Sequence, residues 1–173
     1  MNSAEKVNIL LVDDHPSKLL AHETILAQLG ENIVKATSGR EALEQLLKLE
    51  FAVILLDVKM PEMDGFETAE MIRQRPSLEK TPIIFLTSYS TSDLERLKGY
   101  HLGAVDYLFL PIVPEVLKAK VQVFVDLAKQ KQIIQRQAEN LTRDNEAQEE
   151  QIRIIQDLND RLKTANDELE SFS

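Results

Sequence analysis

Residues 52–65 read Ala-Val-Ile-Leu-Leu-Asp-Val-Lys-Met-Pro-Glu-Met-Asp-Gly. Five apolar residues run straight into Asp57, and the segment after it carries the turn formers Pro61, Asp64 and Gly65. A short, unbroken apolar run bounded by turn signals is the pattern of a strand covered on both faces. The pattern recurs along the chain. Val7 to Val12 runs into Asp13 and Asp14, Asn32 to Ala36 is a shorter version, Ile83 to Leu86 ends at Thr87, and Val105 to Leu110 ends at Pro111.

Helical periods lie between these runs. Leu19, Leu20, Ile25, Leu26 and Leu29 share one spacing over residues 17–29, with Pro16 at the start and Gly30 at the end. Ser38 is expected to cap a helix reaching Leu49, with Glu41 completing a capping box. Residues 66–75 and 91–102 read as helical, and Pro114 opens a last helix. Strict alternation of strand and helix predicts an α/β fold with helices on both faces of a five-stranded parallel sheet. Right-handed crossovers leave the flavodoxin-like order 2-1-3-4-5 as the expected arrangement.

Sheets of this kind bind ligands beyond the carboxyl ends of their strands. Those ends carry Asp13, Asp14, Asp57, Thr87 and Leu110. Each aspartate alone is also a good helix N-cap, and the Thr87 hydroxyl could serve the same purpose. Three carboxylates on adjacent strand ends repel one another, however, and such a group either holds protons or binds a cation. An all-oxygen site suits Mg²⁺, which keeps waters and shares phosphate oxygens. A carboxylate is also a nucleophile toward phosphorus, forming an acyl phosphate.

Residues 7 to about 125 resemble the receiver domain of response regulators. The resemblance rests on Ile-Leu-Leu-Val-Asp-Asp at 9–14, Leu-Leu-Asp-Val-Lys-Met-Pro-Glu-Met-Asp-Gly at 55–65, Pro-Ile-Ile-Phe-Leu-Thr-Ser at 82–88 and Gly-Ala-Val-Asp-Tyr-Leu at 103–108. It implies that Asp57 accepts phosphate from a histidine kinase or phosphotransfer protein. It also implies that Asp13, Asp14, Asp57 and the Lys59 backbone carbonyl hold Mg²⁺. Thr87 would be the switch hydroxyl and Tyr107 the switch aromatic, rotating inward as Thr87 moves.

One position departs from that family. Leu110 stands where a lysine normally precedes the proline after the fifth strand, so a positive charge near three negative ones is lost. Two readings follow. Either Asp57 is phosphorylated with altered signalling, or the domain is a phosphorylation-deficient module for dimerisation or docking. Lys59, two residues past Asp57, offers a replacement ammonium, although a solvent-exposed loop lysine is its plainer reading. His15, His22 and His101 are too scattered in sequence for a shared metal site. Asp57-Val58-Lys59 lacks the second aspartate of the haloacid dehalogenase phosphatases.

From residue 116 onward there is no Gly or Pro, and a continuous helix to residue 173 would be about 87 Å long. Ala138, Leu141, Asn145, Gln148, Ile152 and Ile155, then Leu158, Leu162, Ala165, Leu169 and Phe172, follow heptad spacing. The three-residue step from Ile155 to Leu158 reads as a stammer, and Asn145 as a register-setting polar layer. A passive spacer would share much of this pattern; a parallel homodimer that transmits the first domain's state is the sharper expectation. Residues 162–173 resemble the lead-in to the dimerisation helix of sensor histidine kinases. The expected division is a receiver over 1–125 and a coiled-coil signalling helix over 126–173. This segment is expected not to be an enzyme itself, and a full-length parent reads as a histidine kinase.

Composition excludes other classes. There is no Cys, so disulfides and thiolate metal sites are absent. The net charge is −9, which disfavours nucleic acid as a partner. The apolar runs are too short to span a bilayer, and the first residues lack a secretory signal pattern, so a cytoplasmic location is expected.

Overall fold

The computed structural model describes residues 5–88 and 92–172. Five strands and five helices alternate: β1 Asn8–Val12, α1 Pro16–Leu26, β2 Asn32–Ala36, α2 Gly39–Lys48, β3 Val53–Asp57, α3 Gly65–Arg73, β4 Ile83–Ser88, α4 Asp93–His101, β5 Asp106–Leu110 and α5 Pro114–Ser171. All neighbouring strands pair in parallel, and the sheet order is β2-β1-β3-β4-β5. The chain divides into two compact units, Met1–Lys129 and Gln130–Ser173.

Alternation within each strand builds two cores, because successive side chains point to opposite faces. Leu10, Val12, Ile54, Leu56, Ile83 and Phe85 pack on one face against Leu46 of α2 and Phe66, Ala69 and Ile72 of α3. Ile9, Leu11, Val53, Leu55, Ile84 and Leu86 pack on the other against Leu19 and Leu26 of α1 and Leu117, Val121 and Val125 of α5. Each fully buried aliphatic contributes roughly 1.5–3 kcal/mol of transfer free energy. Lys129, near the end of this unit, pairs with the buried Glu31 carboxylate, which also accepts the Val7 N–H at 2.9 Å.

Two strands extend past their apolar runs, β3 through Asp57 and β4 further still. β4 runs through Thr87 and Ser88, which pair with Phe109 and Leu110. Backbone pairing continues there after the apolar run stops. The helices start and stop by identifiable chemistry. α1 tightens into a 3-10 turn over Ala27–Leu29 and ends at Gly30, whose φ of 74° is left-handed. Ser38 caps α2 by accepting the Glu41 N–H, but the Glu41 carboxylate reaches past it to Thr37. The reciprocal half of the expected box is therefore displaced by one residue. Complete capping boxes form instead at Asp64 with Glu67 and at Ser92 with Glu95. Thr91, the expected first residue of the fourth helix, lies outside the described residues, as does Ser173.

In the second unit, Leu141, Ile152, Ile155, Leu158, Leu162 and Leu169 are all exposed along one helix. No helix among the described residues is long and apolar enough to cross a membrane.

Candidate functional site

Strand register places the acidic residues together. Val12 lies opposite Leu56 in the β1–β3 pairing, so Asp13 and Asp57 lie at neighbouring strand ends. Both are buried, at 1% and 3% exposure, and Thr87 on the next strand is buried too, at 2%. None of the aspartates caps the following helix. The N-cap of α1 is His15 and that of α3 is Asp64. Asp13 Oδ1 instead accepts the His15 N–H at 2.9 Å.

Gly65 makes the β3 end possible. A Cβ there would lie 2.3 Å from the Asp57 carbonyl oxygen and 2.9 Å from Val58 Cα. The start of α3 thus packs directly on the backbone that carries Asp57, and the Gly65 N–H donates to the Val58 carbonyl at 2.9 Å.

The carboxylates are short of partners. Asp13 Oδ2 and Asp57 Oδ2 are buried and accept no hydrogen bond. Leaving such oxygens unsatisfied is costly, and more so when they carry charge. Burial first, then repulsion from Asp13, pushes the Asp57 carboxyl up from 3.8 to about 6, while Lys18 and the Lys59 backbone N–H pull it down. Two hard anionic oxygens in a buried recess, with the half-exposed Asp14 beside them, are a donor set that fits a small divalent cation.

The sign of the Asp57 shift sets a pH dependence. The folded state holds this proton more tightly than the unfolded chain, so the associated stability is fully present below pH 3.8 and lost as pH rises through about 6. In EDTA, the unfolding free energy of the wild type from urea titration should fall across that window relative to Asp57→Asn, by about 3 kcal/mol in all. Parallel pH profiles for the two proteins would refute this.

Sequence reasoning set His15 aside, yet its Nδ1 lies 2.9 Å from Asp14 Oδ1 and 3.3 Å from Asp13 Oδ1. The three residues can turn ligand atoms to within 4.8 Å of one another. The signal was its adjacency to Asp14 at the helix entrance. Lys18 has no sequence signal that marks it as part of the site; its Nζ lies 3.7 Å from Asp13 Oδ2, an ion pair too long for a hydrogen bond. The Lys59 side chain is exposed, and its charge acts on Glu95 of α4. Leu110 ends β5 beside Ser88 and brings no charge; the Leu110–Pro111 peptide is cis.

Tyr107 already points inward. Its ring is 5% exposed and packs on Phe85 and Tyr100, with centroids 5.4 and 5.2 Å away. Its hydroxyl donates to the carbonyl of Arg96 at 3.0 Å, with that of Glu95 at 3.3 Å. Burial pushes its pKa to about 12. A Cβ on Gly99 would sit 1.8 Å from that hydroxyl oxygen, so glycine at this point of α4 permits the inward ring. Gly99→Ala should expel it and cost about 1–3 kcal/mol. Tyr107 ring resonances should then lose their contacts to Phe85, and unchanged contacts would contradict this.

Comparison with known proteins places the geometry in context. The sequence model described as response regulator receiver domain matches residues 9–122. A probable cyclic di-GMP phosphodiesterase of Vibrio cholerae is 38% identical over 141 residues, covering 82% of this chain and 32% of that protein. The signal transduction histidine-protein kinase BarA of Escherichia coli K12 is 34% identical over 112 residues, covering 64% of this chain and 12% of that protein. The chain thus spans about a third or less of the length of these relatives. Among solved structures, the Vibrio cholerae chemotaxis protein CheY4 superposes with a TM-score of 0.65 at 35% identity, covering 69% of this chain and 99% of that one.

Proposed function

Because the chain belongs to the response regulator receiver family, we propose that it accepts a phosphoryl group on Asp57 in a two-component phosphorelay and passes the change of state along a dimeric helix. The observation that carries this reading is the buried Asp13–Asp57 pair, each with a carboxylate oxygen lacking a hydrogen bond. A recess that leaves two anionic oxygens unsatisfied is arranged for a cation and an incoming group.

In this reading Asp13, Asp14, Asp57 and the Lys59 carbonyl hold Mg²⁺, which when bound neutralises charge on the transferring group. Asp57 supplies the nucleophilic oxygen, and its Lys59 N–H contact keeps the carboxylate oriented. Thr87 follows Leu86, the residue that pairs with Asp57 on the next strand, and in this reading donates its hydroxyl to a phosphoryl oxygen. Tyr107 and α4 then respond. The donor is a histidine kinase or phosphotransfer protein, and the setting is cytoplasmic.

This segment is not itself an enzyme in this reading; it regulates an output joined through α5. A histidine kinase output is favoured by the likeness of residues 162–173 to a kinase dimerisation lead-in. A second reading rests on the match to the phosphodiesterase, which extends over 141 residues and so beyond the receiver match at 9–122. It gives a cyclic di-GMP phosphodiesterase as the regulated domain. Attaching each candidate output to α5 and measuring its activity with and without beryllofluoride separates the two.

The helix is proposed to pair in parallel with a second copy, because its apolar heptad positions are exposed from Leu141 to Leu169. Sedimentation at micromolar concentration should give a dimer for the wild type and a monomer for Leu162→Glu. A monomeric wild type would remove the dimer. The phosphoacceptor reading itself is tested by adding beryllofluoride and Mg²⁺: amide resonances of residues 57, 87 and 107 should shift together. No shift at any of them would count against it.

A further inference from the structure

Two buried carboxylates at neighbouring strand ends need a cation even before any metal or phosphate arrives. β5 ends in Leu110 and supplies none. The Lys59 side chain is exposed, and its charge acts on Glu95. The positive side chain that acts on the pocket comes from α1. Lys18 Nζ lies 3.7 Å from Asp13 Oδ2, the very oxygen that accepts no hydrogen bond.

We propose that Lys18 is the resident cation of the acidic pocket, pairing with Asp13 in the resting state and gripping a phosphoryl oxygen once Asp57 is modified. This rests on the phosphoacceptor reading above. Three features support it. The side chain is 36% exposed, so its head is not locked and its four-carbon stem can swing. The 3.7 Å separation is an ion pair without a hydrogen bond, so little is lost when the ammonium moves. The α1 backbone that carries it is fixed one residue further on by the buried Leu19.

The transfer step accounts for the charge. A carboxylate oxygen of Asp57 bonds to phosphorus while the bond from phosphorus to the donor's histidine nitrogen, or to the acetate oxygen of acetyl phosphate, breaks. The electron pair leaves with the imidazole or acetate. The phosphoryl oxygens add negative charge to a recess that already holds Asp13 and Asp14, and a mobile ammonium can follow that charge.

The experiment compares wild type, Lys18→Met, Lys18→Arg and Asp57→Asn. The initial rate of phosphoryl incorporation from acetyl phosphate is read by intact mass, and Mg²⁺ affinity is read by calorimetry without phosphodonor. Lys18→Met should label about tenfold more slowly. It should also bind Mg²⁺ about threefold tighter or more, because a competing positive charge has gone. Lys18→Arg should stay near wild type in both. Either readout unchanged in Lys18→Met overturns the assignment of Lys18 while leaving Asp57 as phosphoacceptor. A wild type that labels no better than Asp57→Asn overturns the phosphoacceptor reading, and Lys18's grip with it.

Discussion

Asp57→Asn should abolish phosphoryl incorporation, by at least about a hundredfold, and at the same time stabilise the metal-free protein. The two effects have one cause. An amide is nearly the same shape as the carboxylate but offers no anionic oxygen to phosphorus. It also carries no charge into a site that is 3% exposed and faces Asp13. Burial and Asp13 together raise the Asp57 carboxyl to about 6 from 3.8. At neutral pH the wild type therefore bears the cost of an ionised group held against its preference, about 3 kcal/mol at the usual conversion. Urea denaturation in EDTA should show the gain in Asp57→Asn, and saturating Mg²⁺ should shrink it, because the metal binds the folded wild type. Loss of stability in Asp57→Asn without metal would contradict this electrostatic account of the pocket.

Gly65→Ala should be among the most damaging single methyl additions in the chain. The new Cβ would meet the Asp57 carbonyl oxygen at 2.3 Å and Val58 Cα at 2.9 Å. Both obstacles are backbone at the carboxyl end of a central strand, held in register with β1 and β4. Neither can swing aside as the end of a side chain can, so α3 or the β3 end must shift. The expected cost is about 3 kcal/mol, at the upper end for overpacking. Gly30→Ala is the contrasting case. It has open space around the added Cβ, and only its φ of 74° resists, so it should cost about 1 kcal/mol. Urea midpoints of the two variants, with the Asp57 labelling rate of each folded fraction, test the distinction. Equal destabilisation would show that the contact between α3 and the Asp57 backbone is not what demands glycine.

The parts of this site visible in sequence are those where a strand stops. Apolar runs ending in Asp13, Asp57 and Thr87 mark the ligand edge of a parallel sheet, and alternation with helices restricts the strand order. What stayed hidden depends on side chains meeting across elements. β4 extends through Thr87 and Ser88 because backbone pairing with β5 continues after hydrophobicity ends. The Glu41 carboxylate chose Thr37 over Ser38, a competition among neighbouring donors that spacing does not decide. His15 and Lys18 look like ordinary helix-start residues until the first turn of α1 is laid beside the β1 end. Gly99 reads as a poor helix residue, and its use emerges only when the Tyr107 hydroxyl is found against it. The loss of charge at Leu110 was legible, whereas the position of the cation that could replace it was not.

The pocket at Asp13, Asp14 and Asp57 is proposed to accept a phosphoryl group with the help of a divalent cation. Intact-mass analysis of the wild type incubated with acetyl phosphate, with Mg²⁺ or with EDTA, tests it most directly. One added phosphoryl group per chain is expected with Mg²⁺, mapped to Asp57, and none with EDTA. An unmodified chain in Mg²⁺, or modification that persists equally in EDTA, would contradict it.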